Sequence, residues 1–328
     1  MRAIAIDRFG GPEVLVARDV EATQPGEGEV RVRLAFAGVN YIDVYMRTGA
    51  YARSHTYETP LPMVPGMEGA GTVESVGPGV EGFAAGQRVA WCIVRGAYAE
   101  CAIVPAWRLV PVPEDVPLDI ACALMLQGST AHYLTHSAWR LRAGDVCVVH
   151  AAAGGVGQLL VQLAKQRGAT VIATVGHPSK VTIARACGAD HTILYRDVPF
   201  RDEVMRITNG RGADVVYDSV GRDTVHASIR SLRRRGLCVM FGASSGQVEA
   251  IVPLELAEAG SVYFTRPHLA DYLHDATEIR QRAQDLFGAY VGGNLRVSID
   301  RVLPLSDAAQ AHRVLEGRAS RGKLLLAT

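Results

Sequence analysis

Val148-Val-His-Ala-Ala-Ala-Gly-Gly-Val-Gly-Gln-Leu-Leu160 carries an apolar strand into a tight turn of small residues and then into a helix. Ala152, Gly154 and Gly157 take the three places of a G-x-G-x-x-G spacing, with alanine in the first. Small side chains let the backbone of such a turn approach a pyrophosphate. The helix N-terminus behind it supplies N–H groups and a partial positive charge. The spacing alone is a weak signal, and it gains weight from its place after a strand and before a second strand–helix unit. Ala153, Gly154, Gly155, Val156 and Gly157 are thus the expected contacts of a dinucleotide.

Working outward, apolar strands alternate with helical patterns, which is how a parallel sheet reads. Strands are expected at Asp145–His150, Thr170–Val175, His191–Leu194, Ala213–Asp218 and Gly236–Phe241, with a sixth at Ser261–Thr265. Helices are expected near Val156–Arg167, Ser179–Cys187, Phe200–Thr208 and Thr224–Leu232. Upstream, residues 1 to about 120 are rich in Gly, Pro and Val, with β-like runs at Glu29–Val39 and Ala70–Val76. Downstream come a long helix over Ala270–Tyr290, a strand at Val297–Leu303 and a helix with Ser306 as N-cap. A last strand, Lys323–Ala327, is placed to return to the first domain. The fold class is therefore α/β: a doubly wound parallel sheet of the Rossmann type (124–265) inserted into a β-rich domain (1–123 and 266–328).

The 328 residues exceed what one core usually holds, so two domains are expected. With 34 Lys plus Arg against 33 Asp plus Glu, no field of one sign calls for nucleic acid, and a small-molecule partner is expected. The first residues hold no apolar run of signal-peptide length, and no segment reaches about 18 uninterrupted apolar residues. The six cysteines form no C-x-x-C pair and read as reduced buried thiols. These features point to the cytoplasm and away from a membrane.

Dinucleotide domains that bind NAD carry an acid at the end of the second strand. Here that strand ends Val175-Gly-His-Pro-Ser-Lys180, with no acid to repel a 2′-phosphate and with Lys180 to attract it. NADPH is the expected cofactor, with Lys180 at its 2′-phosphate and Gly176 and Ser179 among its contacts. The ends of the next strands, Tyr217-Asp-Ser-Val-Gly221 and Phe241-Gly-Ala-Ser-Ser245, lie on the sheet's carboxyl edge, where ligands bind. Ser219, Val220, Phe241, Gly242 and Ser244 are candidates there.

Gly10-Gly-Pro-Glu-Val-Leu15, Val39-Asn-Tyr-Ile-Asp43, Gly66-Met-Glu-Gly-Ala-Gly71, His150-Ala-Ala-Ala-Gly-Gly-Val-Gly157, Tyr217-Asp-Ser-Val-Gly-Arg-Asp223 and Thr265-Arg-Pro267 together resemble the zinc-independent, zeta-crystallin-like quinone oxidoreductases of the medium-chain dehydrogenase/reductase superfamily. The resemblance spans essentially the whole chain and implies that the β-rich domain is GroES-like. Zinc alcohol dehydrogenases of the superfamily have a Cys where Asn40 stands and a His in a G-H-E segment where Met67 stands. Asn and Met are poor zinc ligands, and the cysteine-rich lobe expected around residues 80–110 is reduced to Cys92 and Cys101, so no metal is expected at either site. Without a metal to stabilise an alkoxide, an already electrophilic quinone or enone is the easier substrate.

The resemblance places Asn40, Tyr41, Ile42, Asp43 and Tyr45 beside the nicotinamide, with Gln127, Thr130 and Tyr133 on a helix bordering the cofactor. Asn40, Tyr45 and Tyr51 offer polar contacts to a quinone oxygen. Gln127 stands where several relatives carry a Lys, and the Tyr51–Pro65 loop is longer and more polar than usual. The resemblance also assigns the 2′-phosphate to Lys180, Tyr195 and Arg318, with Arg321 competing for the last place. His150 reads as a structural strand-end residue rather than a proton donor. An NADPH:quinone oxidoreductase acting by one- or two-electron reduction is the leading expectation. An enone or enoyl reductase, or a non-catalytic NADPH- or RNA-binding crystallin-like protein, are the alternatives. A homodimer through the Ser261–Thr265 strand is implied by the same resemblance.

Overall fold

The computed structural model describes residues 1–328. In chain order, the first stretch holds β1 (Arg2–Ala5), β2 (Val16–Asp19), β3 (Glu29–Val39), α1 (Tyr41–Thr48), β4 (Glu68–Val76), β5 (Arg88–Cys92), β6 (Cys101–Pro105), β7 (Val110–Pro111) and α2 (Leu118–Ala123). The middle holds α3 (Ser129–Tyr133), β8 (Val146–Val149), α4 (Gly155–Gln166), β9 (Thr170–Val175), α5 (Val181–Ala186), β10 (His191–Leu194), α6 (Phe200–Ile207), β11 (Ala213–Asp218), α7 (Val225–Arg230), β12 (Leu232–Met240), α8 (Pro253–Glu258) and β13 (Tyr263–Thr265). The last stretch holds α9 (Ala276–Val291), β14 (Ile299–Pro304), α10 (Ala308–Glu316) and β15 (Lys323–Ala327). Two compact units result: Met1–Ser129 with Tyr272–Thr328, and Thr130–Asp271.

The unit Thr130–Asp271 is built on a six-stranded sheet in the order β10-β9-β8-β11-β12-β13. Every pairing is parallel. That order is the doubly wound one, with the switch point between β8 and β11. Strands covered on both faces must be apolar along their length, and β8 (VCVV) and β11 (ADVVYD) are buried almost throughout. Val148, Ile172, Val216, Ile229 and Cys238 form the centre of one core, with Phe200 at its margin. α4 lays Leu159, Leu160, Leu163 and Ala164 inward, one turn apart as an amphipathic helix requires.

In the other unit a seven-stranded sheet runs β14-β15-β3-β4-β5-β7, with β6 also paired to β3. β3 alternates Val30, Val32 and Leu34 inward against outward Arg31 and Arg33. β15 does return to this domain, antiparallel to β3 with Leu324 opposite Val39 and Leu326 opposite Ala37.

Two helix starts differ from expectation. The stretch expected as one helix over Ala270–Tyr290 is a short turn, Leu269–Tyr272, followed by α9 from Ala276. Asp275 caps α9 by accepting the Glu278 N–H at 2.9 Å, and this D-x-x-E signature marks the start. Ser306 is not an N-cap: it lies inside a tight turn, Leu305–Asp307, and α10 starts after Asp307.

Candidate active site

β8 ends at Val149, and the chain turns through His150–Gly154 into α4. Ala151 takes a left-handed φ of 50°, a costly conformation for a residue with a Cβ. Gly154 N-caps α4 with no capping side chain, so the helix's first N–H groups are left for a ligand or water. A Cβ on Gly157 would lie 2.3 Å from the Ala151 carbonyl oxygen and 2.7 Å from Ala152 Cα. Helix and turn touch there through backbone, which only glycine permits. Ala153 is buried, while Gly154, Gly155 and Val156 remain partly open.

At the end of β9 a Cβ on Gly176 would lie 2.8 Å from Tyr195 Oη, so the phenol fills the space that Gly176 leaves. Lys180 closes a short turn, Pro178–Lys180, that leads into α5. His177 Nδ1 accepts the Ser179 N–H at 3.2 Å and orders that turn. Gly176, Lys180 and Tyr195 are half-buried and Ser179 is exposed.

The ends of β11 and β12 are laced together. Buried Asp218 accepts the Val220 N–H at 2.8 Å and the Gly221 N–H at 3.0 Å, and Phe241 N–H donates to the Asp218 carbonyl at 2.9 Å. Ser244 N–H reaches the Ser219 carbonyl at 3.2 Å, and a Cβ on Gly242 would lie 2.7 Å from that same oxygen. Ser219, Val220, Phe241, Gly242 and Ser244 thus share one carboxyl-edge surface. Behind it, His150 is fully engaged: Nδ1 lies 2.8 Å from Thr174 Oγ1 and Nε2 lies 3.0 Å from Ser228 Oγ. Ser228 Oγ donates onward to Asp218 at 2.7 Å, so His150 Nε2 carries the proton and Nδ1 accepts from Thr174. Burial pushes the His150 pKa down and keeps the ring neutral. Thr130 and Tyr133 are buried on α3.

In the first unit, α1 presents Asn40 and Tyr41–Tyr45. Asp43 is fully buried and accepts the backbone N–H groups of Asn40 (2.9 Å) and Met67 (3.0 Å), with the Tyr98 hydroxyl at 3.3 Å. It ties α1 to the start of β4, and burial raises its pKa to about 7. Tyr98 Oη continues to His312 Nε2 at 3.0 Å, and His312 Nδ1 meets Arg47 at 3.3 Å. Arg47 forks onto Glu316 at 2.7 and 2.9 Å. Ile42 is partly exposed on the same helix.

Asn40 has no hydrogen-bonding capacity to spare. Its Nδ2 donates to Glu68 at 2.9 Å and to the Gly38 carbonyl at 3.4 Å. Its Oδ1 accepts from Lys323 at 2.8 Å and from Gln127 at 3.3 Å. Tyr41, Tyr45, Tyr51 and Tyr57 form a ladder of rings with successive centroids 6.0, 5.4 and 5.3 Å apart. Arg318, φ 55°, follows the end of α10, and its charge acts on Tyr41. Arg318 therefore belongs to a different compact unit from Lys180 and Tyr195.

The alcohol dehydrogenase GroES-like domain family model matches residues 26–114, and the zinc-binding dehydrogenase model matches residues 155–289. A quinone oxidoreductase of Pseudomonas aeruginosa is 40% identical over 99% of each chain. A 2-haloacrylate reductase of a Burkholderia species is 42% identical over 99% of this chain and 98% of its own. The crystal structure of Escherichia coli quinone oxidoreductase complexed with NADPH superposes with a TM-score of 0.96 at 37% identity over 100% of both chains. The chain belongs to the quinone oxidoreductase family.

Several polar residues of this quinone oxidoreductase family member are not legible in the sequence reading. Glu68 and Lys323 each open a strand whose next residues are small or apolar, and that isolation is the signal that could mark them. His312 and Glu316 share one face of α10 at i, i+4 spacing, but their partner Arg47 is more than 260 residues away. Tyr57 lies within a loop marked only by its length and polarity. No group of three or more His, Cys, Asp or Glu side chains is arranged to hold a metal.

Proposed function

We propose that this protein is an NADPH-dependent reductase of quinones. The observation that carries the reading is the end of β9, which has no acid, where Tyr195 Oη fills the space left by Gly176 and Lys180 closes the turn that follows. A 2′-phosphate fits a cation and a hydroxyl there and would be repelled by the carboxylate that NAD-binding domains use. The turn from Ala153 to Gly157 would hold the pyrophosphate, and the surface shared by Ser219, Val220, Phe241, Gly242 and Ser244 would take the rest of the dinucleotide. Tyr41, Ile42, Thr130 and Tyr133 are proposed nicotinamide contacts and Arg318 a proposed phosphate contact on the family resemblance alone, while Asp43, wholly buried, would serve only to hold α1 in place. When bound, the cofactor supplies the hydride.

The chain's own part is to orient the acceptor and to meet its oxygen as negative charge develops. Tyr45 and Tyr51 would pack against a planar ring and present hydroxyls. Because Asn40 is saturated by protein partners, Gln127 is the better placed amide: its Nε2 spends one hydrogen on Asn40 and keeps the second. The donor set does not fit zinc. Asn40 and Met67 offer an amide and a thioether, and the Lys323 ammonium already sits on the Asn40 oxygen. The reaction we infer is therefore metal-independent. The six free cysteines support a reducing compartment, the cytoplasm. The exposed edge at β13 supports a homodimer.

The test is nicotinamide oxidation with a naphthoquinone, comparing NADPH with NADH, with and without a zinc chelator, for wild type and Lys180→Ala. A charge-assisted bond of about 1.5–3 kcal/mol predicts roughly a 10- to 100-fold rise in KM for NADPH in the variant and little change for NADH. Equal use of both cofactors by wild type, or inhibition by the chelator, would sink the reading. An activated alkene belongs in the same assay because of the 2-haloacrylate reductase relative.

A further inference from the structure

Lys323 and Glu68 form an ion pair that is almost wholly withdrawn from water, at 1% and 0% exposure. Room for it is made by Gly38, where a Cβ would collide with the Glu68 carboxylate and approach the Lys323 ammonium at 2.9 Å. Burying two charges brings little stability that an apolar pair of the same volume would not give, so the useful question is what the pair orients. It orients Asn40. Lys323 only donates and Glu68 accepts, and they address opposite ends of the same amide. Turning the Asn40 amide over would set Nδ2 against the ammonium and Gln127 Nε2, and would set Oδ1 against the carboxylate and the Gly38 carbonyl. All four contacts would become repulsive. The Asn40 amide therefore has one permitted orientation.

The consequence falls on Gln127, whose Nε2 can donate only because Asn40 turns its oxygen that way. Glu68 also accepts the backbone N–H of Leu126, so the carboxylate holds the main chain one residue before Gln127 while the amide relay holds its side chain. Gln127 lies in a π-helical turn, Leu124–Gly128, and is the most exposed polar member of the group, at 9%. Such turns break the regular ladder and re-aim a side chain.

We propose that Lys323 is a positioning residue of the reductase: with Glu68 it locks the Asn40 amide, which fixes Gln127 so that its second Nε2–H meets the acceptor oxygen. This rests on the reductase reading above. Lys323 need not touch the substrate or exchange a proton.

The experiment is a double-mutant cycle on the full chain. Lys323→Met alone strands a buried carboxylate, so the change used is Lys323→Met with Glu68→Gln, which removes both charges together. The amide introduced by Glu68→Gln would present its nitrogen to Asn40, which would turn over and face Gln127 with a donor. The expected result is a loss of kcat for the acceptor of roughly tenfold or more. NADPH affinity, read by fluorescence titration, should stay within about twofold. In a Gln127→Ala background the same pair should change kcat by less than about twofold, since its target is gone. Equal losses in both backgrounds would show a merely structural role, and no loss in either would show none; both outcomes overturn the proposal. If the paired variant does not fold, Asn40→Leu keeps the ion pair and cuts the bridge to Gln127; the same non-additivity is expected, and full kcat in that variant overturns the proposal. Wild-type protein that reduces neither naphthoquinone nor enone overturns the reductase reading itself, and this inference with it.

Discussion

Alanine at Gly157 and alanine at Gly154 should harm the protein in different ways, although both glycines serve one turn. At 157 the new methyl would sit 2.3 Å from the Ala151 carbonyl oxygen and 2.7 Å from Ala152 Cα, both backbone atoms. Relieving these contacts requires the turn or α4 to retreat by about 1 Å, and overpacking of that kind costs about 1–3 kcal/mol. The gain of about 1 kcal/mol from alanine over glycine inside a helix offsets part of it. The net loss of about 1–2 kcal/mol corresponds to a fall in Tm of roughly 2–8 °C. At 154 the methyl would meet the same carbonyl at 3.2 Å, in an extended conformation (φ −79°, ψ 173°) that alanine adopts freely. Gly154→Ala should therefore keep its stability within about 1 kcal/mol. It should nevertheless bind NADPH roughly tenfold more weakly, because the methyl stands where the proposed pyrophosphate contact brings the backbone close. Urea unfolding and NADPH fluorescence titration on both variants separate the two effects. Gly157→Ala as stable as wild type, or Gly154→Ala the less stable of the two, would refute the packing argument.

Two further outcomes are expected. His312 lies between Arg47 and Tyr98, with Asp43 beyond Tyr98 and Glu316 on the far side of Arg47; burial and the Arg47 charge depress its pKa to about 3. The unfolded chain takes up a proton near pH 6.5 that the folded protein refuses, so the His312 contribution is present above pH 6.5 and is lost as pH falls through about 3, by up to about 1.4 kcal/mol per pH unit. Asp43, raised to about 7, has the opposite slope from about pH 4 to 7, so the comparison of His312→Gln with wild type isolates the histidine; parallel stability curves between pH 4 and 6 would contradict this. At the open edge of the six-stranded sheet, Tyr263 is 61% exposed on β13, and Val252 and Leu254 are exposed just upstream. If the proposed homodimer forms through this edge, wild-type protein should sediment as a dimer and Tyr263→Lys as a monomer; a monomeric wild type would overturn the homodimer, and a dimeric variant would move the interface elsewhere.

What can be read along the chain is whatever neighbouring residues determine together. Glu29–Val39 is legible to the residue because alternation and turn chemistry are local, and the parallel sheet follows from strands separated by helices. The turn at 152–157 is legible for the same reason, since the glycine spacing and the helix it opens are contiguous. The start of α9 is harder to place although Asp275 and Glu278 stand in the sequence, because the helical pattern of 270–290 runs across the cap and hides it.

The first unit's polar cluster is of another kind. Asn40, Glu68, Gln127 and Lys323 come from α1, β4, a π-helical turn and β15, and no local pattern links a lysine to a glutamate 255 positions earlier. Asn40 is the sequence's candidate for a substrate contact, but its atoms are spent on protein partners. Asp43 likewise uses its carboxylate on the backbone of α1 and β4. A residue type that suits a substrate equally suits a buried partner, and only the count of filled hydrogen-bonding positions separates the two. By that count the open donor passes from Asn40 to Gln127. Lys323 stands two hydrogen bonds behind that donor, through Asn40, where it orders the site without meeting the acceptor.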